Sequence, residues 1–441
     1  MSNFGSMGSS PGGGGGGGSS NGANGGNGAA GQVKLSYTPS TVPATNVLRF
    51  VLKIPAAGGV DGSILAQILT AGTVAKLNVV YHTGGKLELI GYNAGGSSIF
   101  DSGSQSFSAD GSLMMVSAEL TTSGSNVAWK LSAILPNAVS PIATYTGTVA
   151  GSVNGVNTFN GNVSGTDTGT TVVGHVTVQY AVVPLTDLAA PLGAYAGELA
   201  GDRFTRLCAE EGWGSILTGN ASDTPAMGPQ TDEPVGTMLQ EIEDLDRGLL
   251  YETFSQFGLG YRTRVSMQNQ TAKVAFDYSL AQLYGSLEPT HDDQLTRNDI
   301  IVTRTGGSSA RAELTSGSLS INDPPNGVGD YSYSLTVNAN ADSQLANLSS
   351  WMLTVGTVDE HRYPVITADL RRSQVANLFA EIPALIPGDY LSITNPPSFL
   401  PSGTIKQLAY GFTEYLNAYE WTISINGVPE SPYEGGGLPT W

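Results

Sequence analysis

From Val47 onward the chain is written in short runs that alternate apolar and polar residues, the period of a half-buried strand. Residues 47–54 place Phe50, Leu52 and Ile54 on one face, and residues 75–81 form a second such run. Gly84-Gly85 then turns the chain into residues 86–90, which reads as a hairpin closed by a two-residue turn. Residues 114–120 follow Asp110-Gly111, Ser123-Gly124-Ser125 leads into residues 127–131, and residues 175–180 close the series. Strands repeating every ten residues or so (about that spacing) with such turns predict a β-sandwich or jelly roll.

Around Asp187 the period becomes helical. Residues 203–212 read as a short helix stopped by Gly212. Residues 234–247 form a second, with Val235, Met238, Leu239, Ile242 and Leu245 on one stripe and Glu241, Glu243, Asp244 and Asp246 directed to water. Strands resume at 249–252, 260–265 and 273–278. A β-rich stretch from 298 to 426 follows, with a helix expected at 373–379 and strands at 390–393, 405–412 and 421–425. Residues 1–45 are rich in Gly, Ser and Asn, include seven glycines in a row from Gly12 to Gly18, and are too poor in apolar residues to build a core. The expected organisation is a flexible segment 1–45, a sandwich 46–184, an α+β domain 185–297, a β-rich domain 298–430 and a short tail 431–441.

Composition narrows the partners. The chain holds 19 Lys and Arg against 37 Asp and Glu, a formal charge of -18. That field repels phosphate backbones, and no basic cluster reverses it locally, so nucleic-acid binding is not expected. No run approaches the roughly 20 apolar residues of a membrane span, so no membrane insertion is expected. No basic start followed by an apolar core marks a secretory signal. The single cysteine, Cys208, leaves no internal disulfide framework and reads as a small buried hydrophobe.

Candidate chemistry is sparse. His82, His175, His291 and His361 share no metal-ligand spacing. His82 reads as a loop residue beside the Gly-Gly turn and His175 as a structural strand residue. His291-Asp292-Asp293 could clamp a cation but sits where turn-capping Asp residues are ordinary. Asp323-Pro324-Pro325-Asn326-Gly327 is a turn, without the alternating carboxylates of a calcium loop. Glycoside hydrolysis needs two carboxylates facing one cleft. The sandwich acids are Asp61, Glu88, Asp101, Asp110, Glu119 and Asp167, and Glu88 and Glu119 each stand alone on their strands. Gly103-Ser104-Gln105-Ser106-Phe107 lacks the last glycine of a nucleophile elbow. Tyr81, Tyr92, Phe100 and Trp129 are the candidates for stacking on sugars, weighed against core positions. No catalytic, cofactor-binding or metal residue is assigned, no cofactor is expected, and no glycan-binding residue can be named.

Two resemblances add to this reading. Residues 110–120 with 127–131, preceded by residues 49–55 and 84–89, resemble the central strands of laminin-G-like, concanavalin-A-type jelly rolls. Residues 201–212, 227–230, 248–252, 258–264, 287–289, 297–299, 302–304, 356–364 and 394–397 form an ordered series that resembles minor tail proteins of actinobacterial siphophages and related prophages. The implied fold is mainly β: a concanavalin-A/laminin-G-like sandwich followed by an α+β tail-hub module with β-barrel-like domains. The implied role is structural and non-enzymatic, at a tail tip or baseplate-type hub. Such a protein is made in the host cytoplasm and carried on the virion tail. It assembles with other tail proteins as a homo-oligomer, usually a trimer, and its jelly roll contacts a host-surface glycan or receptor. The alternatives are a carbohydrate-active depolymerase and a secreted bacterial lectin or adhesin.

Overall fold

The computed structural model describes residues 33–36, 44–163, 170–254, 256–290 and 295–435. The flexible segment expected at 1–45 lies almost wholly outside the described residues, as do Asp167, His291-Asp292-Asp293 and most of the tail expected at 431–441. The chain is mainly β and divides into two compact units, up to Tyr195 and from Ala196.

The first unit is a two-sheet sandwich. Its strands are β1 (Val33–Ser36), β2 (Thr45–Lys53), β3 (Ile64–Gly72), β4 (Lys76–His82), β5 (Lys86–Tyr92), β6 (Ser98–Asp101), β7 (Gln105–Ser106), β8 (Leu113–Ser123), β9 (Asn126–Ile134), β10 (Ala143–Ala150), β11 (Val153–Val163) and β12 (Val172–Gln179). One sheet runs β1-β11-β3-β4-β5-β6, with β7 also on β5, and the other runs β10-β9-β8-β2-β12. The faces expected from alternation meet in the middle. Phe50, Leu52 and Ile54 pack with Leu77, Val79 and Tyr81, with Leu87 and Leu89, and with Met114, Val116, Ala118 and Leu120 in one core. Each such side chain contributes roughly 1.5–3 kcal/mol by leaving water.

Two local expectations change. Between β4 and β5 the register pairs His82 with Lys86, so the loop holds three residues, Thr83, Gly84 and Gly85, and is not the two-residue turn expected. The sandwich also runs past 184. Leu185 and Ala189, the latter opening the short helix α1 (Ala189–Leu192), pack on Ile134 over the outer face of the second sheet. Beneath this cover Arg49 is fully buried: its Nε donates to Ser117 Oγ at 3.2 Å and its guanidinium donates to the Val183 carbonyl. Desolvation depresses the pKa of this guanidinium, while nearby Glu119 and Asp187 oppose the shift. The unit therefore ends near Tyr195.

Among the described residues the second unit combines three α-helices with three sheets. Its helices are α2 (Ala200–Glu210), α3 (Val235–Asp246) and α4 (Leu345–Gly356). Its strands are β13 (Gly214–Thr218), β14 (Leu249–Glu252), β15 (Gly258–Arg262), β16 (Val274–Asp277), β17 (Asp299–Arg304), β18 (Ser309–Glu313), β19 (Ser332–Val337), β20 (Ile366–Asp369), β21 (Tyr390–Thr394), β22 (Ile405–Leu416) and β23 (Trp421–Pro429). The sheets are β13-β15-β14, β18-β17-β19 and β16-β21-β22-β23-β20. Helix α2 ends as expected, with Gly212 at φ +72° just beyond it. Helix α3 buries Met238, Leu239, Ile242 and Leu245, and Arg247 at φ +60° reverses the chain behind it. Helix α4 was not expected, and residues 373–379 hold only a 3-10 turn, Ser373–Leu378.

The boundary expected at 297/298 separates no cores. One core joins Phe204, Leu239 and Ile242 to Ile300, Val302 and Leu348. The other joins Val274 and Phe276 to Ile366, Leu391 and Ile425, because β16 pairs in parallel with β21. Each core draws on both sides of the expected division, so residues 196–435 fold as one interleaved unit.

Candidate functional site

The side chains best arranged to meet a ligand stand on the outer face of the first sheet, opposite the sandwich core. Strands β4 and β5 send Leu77, Val79, Tyr81, Leu87 and Leu89 inward, so Lys76, Asn78, Val80, His82, Glu88, Ile90 and Tyr92 point outward. The register sets Asn160 of β11 beside Gln67 of β3, Gln67 beside Asn78 of β4, and Asn78 beside Ile90 of β5. Asn160 Nδ2 donates to Gln67 Oε1 at 2.9 Å, and Gln67 Nε2 donates to Asn78 Oδ1 at 2.9 Å. These three amides lie low in the face, Asn78 only 3% exposed, while Glu88, Ile90 and Tyr92 stand half-buried around them.

Charged groups close both ends. Lys76 Nζ lies 4.1 Å from the centroid of the Tyr92 ring, a cation–π contact. At the other end His82 is bracketed: Nε2 is 2.8 Å from Glu88 Oε2 and Nδ1 is 3.3 Å from Asp61 Oδ1. Asp61 comes from the loop before β3 and accepts the Thr83 backbone N–H at 2.9 Å. That bond holds its carboxyl below the usual carboxylate range; desolvation opposes it, and the His82 ring adds to the lowering. With both ring nitrogens facing carboxylates, His82 fixes the Glu88 side chain. Among the described residues no group of three or more His, Cys, Asp and Glu is placed to hold a metal ion.

The other sequence candidates separate into core and surface. Tyr81 is fully buried and its hydroxyl donates to Asp110 Oδ1 at 2.8 Å; burial first, and then the Asp110 charge, push the phenol up. Phe100 and Trp129 stack at 5.4 Å with planes 5° apart against the core. Only Tyr92 of the four aromatic candidates faces outward. Glu119 belongs to the second sheet, where Lys130 pairs with it at 3.0 Å, and Asp101 accepts from the Gly103 amide at 2.7 Å. His175 is exposed at a bulge where β12 slips against β2, with φ +46°. Glu88 does not stand alone, as its strand suggested. The strand pattern marks Glu88 and His82 as outward, but Asp61 arrives from a loop and the amides from distant strands, so sequence offered no signal for the group.

The second unit has two features of its own. Helix α4, β14 and the segment 429–433 border a cavity of about 590 Å³ with Trp351, Tyr410 and Tyr433 in its wall. The Trp351 and Tyr433 rings meet edge-on at 5.1 Å, and Arg264 lies 5.1 Å from the Trp351 ring. Nearby, Glu430 is 1% exposed and its carboxyl is pushed up to about 7 by burial and then by Glu434, with Lys406 opposing. Asp246, expected to face water, is fully buried. Its Oδ2 accepts from the Tyr261 hydroxyl at 2.8 Å and the Arg264 amide at 3.1 Å, because the Arg247 turn folds the chain back over it. Cys208 is buried, as expected, and burial raises its thiol pKa. No helix among the described residues is long and apolar enough to cross a membrane.

No protein-family model matches the chain, and no curated protein matches it. Solved structures similar to it include the 43 kDa tail protein of prophage MuSo2 from Shewanella oneidensis, 12% identical, covering 87% of this chain and 99% of that one, with a TM-score of 0.36. A tail protein from Neisseria meningitidis MC58 is 10% identical over 89% of this chain and 99% of its own, also with a TM-score of 0.36. A tetrameric galectin from the ball sponge Cinachyrella overlays 33% of this chain and 97% of its own at 13% identity and a TM-score of 0.22.

Proposed function

We propose that this chain is a structural component of a phage tail, placed at the tip or a baseplate-type hub, whose sandwich meets host-surface glycan. The observation that carries the tail reading is where the ordered motif series falls. Its segments from Gly201 to Pro397 all lie in the second unit and supply both interleaved cores, through Phe204, Leu207 and Cys208 in one and Leu287 and Tyr363 in the other. Assembly with other tail proteins, as a homo-oligomer and in the family's usual trimer, belongs to the same reading. The glycan contact rests on the outer sheet face, whose amides, carboxylate and tyrosine are the groups that recognise sugar hydroxyls and C–H surfaces.

The protein acts in this reading by binding and not by catalysis. The one observation favouring a hydrolase is the pair of carboxylates on either side of His82. Release of reducing sugar from host envelope by the purified chain, lost in Glu88→Gln, would establish that alternative. Cryo-electron microscopy of particles carrying an epitope tag on this chain tests the tail reading. Density at the distal tail is expected, and tag found in the head, or only in particle-free lysate, refutes it.

A further inference from the structure

The amide row on the outer sheet face is directional. Asn160 donates to Gln67 and Gln67 donates to Asn78, while the Asn78 side chain donates to no group among the described residues. Across β4 and β5, Asn78 stands opposite Ile90, with Glu88 and Tyr92 two residues away on either side. Glu88 spends Oε2 on His82, so its Oε1 remains an open acceptor. Diagonal neighbours on an antiparallel face lie about 7–8 Å apart, which spans one pyranose ring with its hydroxyls. An amide donor and a carboxylate acceptor at that spacing, over an apolar floor of Ile90 beside the Tyr92 ring, match a sugar's alternation of hydroxyls and C–H surface.

Charge decides the class of sugar. An anionic substituent near Glu88 would face both Glu88 and Asp61, in the field of a chain with net charge -18. Of the lysines that β4 and β5 place on the face, Lys76 is already seated over Tyr92, and Lys86 stands opposite His82 at the end where Glu88 and Asp61 both present carboxylates. Resting on the reading of the sandwich as a glycan contact, we propose that this face binds a neutral saccharide. One pyranose accepts a hydrogen bond from Asn78 Nδ2, donates a hydroxyl to Glu88 Oε1, and lays its C–H side on Ile90 and Tyr92. Asp61 and His82 are positioning residues that hold the Glu88 rotamer.

The full chain, applied to an array of neutral and acidic glycans and then titrated with the best neutral oligosaccharide, tests this. Neutral glycans are expected to bind. Glu88→Gln should weaken binding at least tenfold with the melting temperature kept. Asn78→Ala should weaken it as much while also lowering the melting temperature, since it leaves the buried Gln67 amide without its acceptor. Lys130→Gln, on the other sheet, should leave binding unchanged. Binding confined to acidic glycans, no glycan binding, or wild-type affinity in both variants overturns the proposal. Because the tagged particles report tail position separately, a chain found at the distal tail that binds no neutral glycan sinks the saccharide site alone.

Discussion

Glu430→Gln isolates one buried carboxyl whose protonation the fold controls. Glu430 precedes the 3-10 turn Ser431–Tyr433 that seats the buried Tyr433 against Trp351. Burial raises its pKa from 4.5 to about 7, Glu434 and Glu360 add to the shift, and Lys406 opposes it. The folded state therefore keeps this proton over a range where the unfolded chain has released it. The stabilisation is full below about pH 4.5 and is lost as pH rises through about 7. A shift of this size, at about 1.4 kcal/mol per pH unit, amounts to about 3 kcal/mol. Gln is a neutral isostere of the protonated acid. The variant should match the wild type near pH 4.5 and become more stable by about 3 kcal/mol at pH 8.5, several degrees in melting temperature for a unit of this size. Urea melts of both proteins at half-unit intervals from pH 4.5 to 8.5 measure the difference, which cancels the other titrating carboxyls. A difference that stays flat with pH, or that favours the wild type at high pH, refutes the reasoning.

Other perturbations follow from single contacts. Tyr261→Phe removes the hydroxyl bonded to the fully buried Asp246 and should cost about 1–3 kcal/mol in chemical denaturation, because a buried carboxylate loses a hydrogen bond that no water replaces. A loss under half a kcal/mol (roughly, the size of a neutral surface change) would contradict that account. Gly84→Ala and Gly85→Ala both place a side chain at positive φ, worth about 1–2 kcal/mol each. At Gly85 the added Cβ also falls 2.5 Å from the Ala109 amide nitrogen, while at Gly84 it meets nothing within 4 Å. Thermal melts should rank Gly85→Ala well below Gly84→Ala, and equal losses would show that the loop shifts freely.

What could be read from the sequence is the side of a strand that meets the core. Strands β2, β4, β5, β8 and β9 place apolar residues at every second position toward it, and that alternation is visible in a string of letters even where the other face is covered too, as at Arg49 of β2 and Asn78 of β4. Strand β3 carries apolar residues on both sides of Gln67, and β11 spreads asparagines along its length, so neither shows that period. Helix α4 has apolar or small residues almost all round and buries Leu345, Leu348, Ser349, Trp351 and Met352, leaving no polar face to mark the helical repeat. Asp246 sat on the polar side of a legible helix, and only the reversal at Arg247 brought it inside. The outer-face group was hidden differently. Asn160 and Gln67 are 93 residues apart, and their meeting is a fact of strand order with no local trace.

The interleaving of the second unit has a kinetic meaning. Strand β16 cannot pair until β21, more than a hundred residues later, has been made. A parallel pairing over that separation carries a loop-closure cost that local contacts do not relieve. During synthesis Val274 and Phe276 must wait, uncovered, until residues as late as Ile425 have left the ribosome. Nascent chains of this unit are therefore exposed to chaperones and proteases for most of their synthesis. A chain cut short anywhere before the last strands leaves the second core open, so closure of that core acts as a check on how far translation has run.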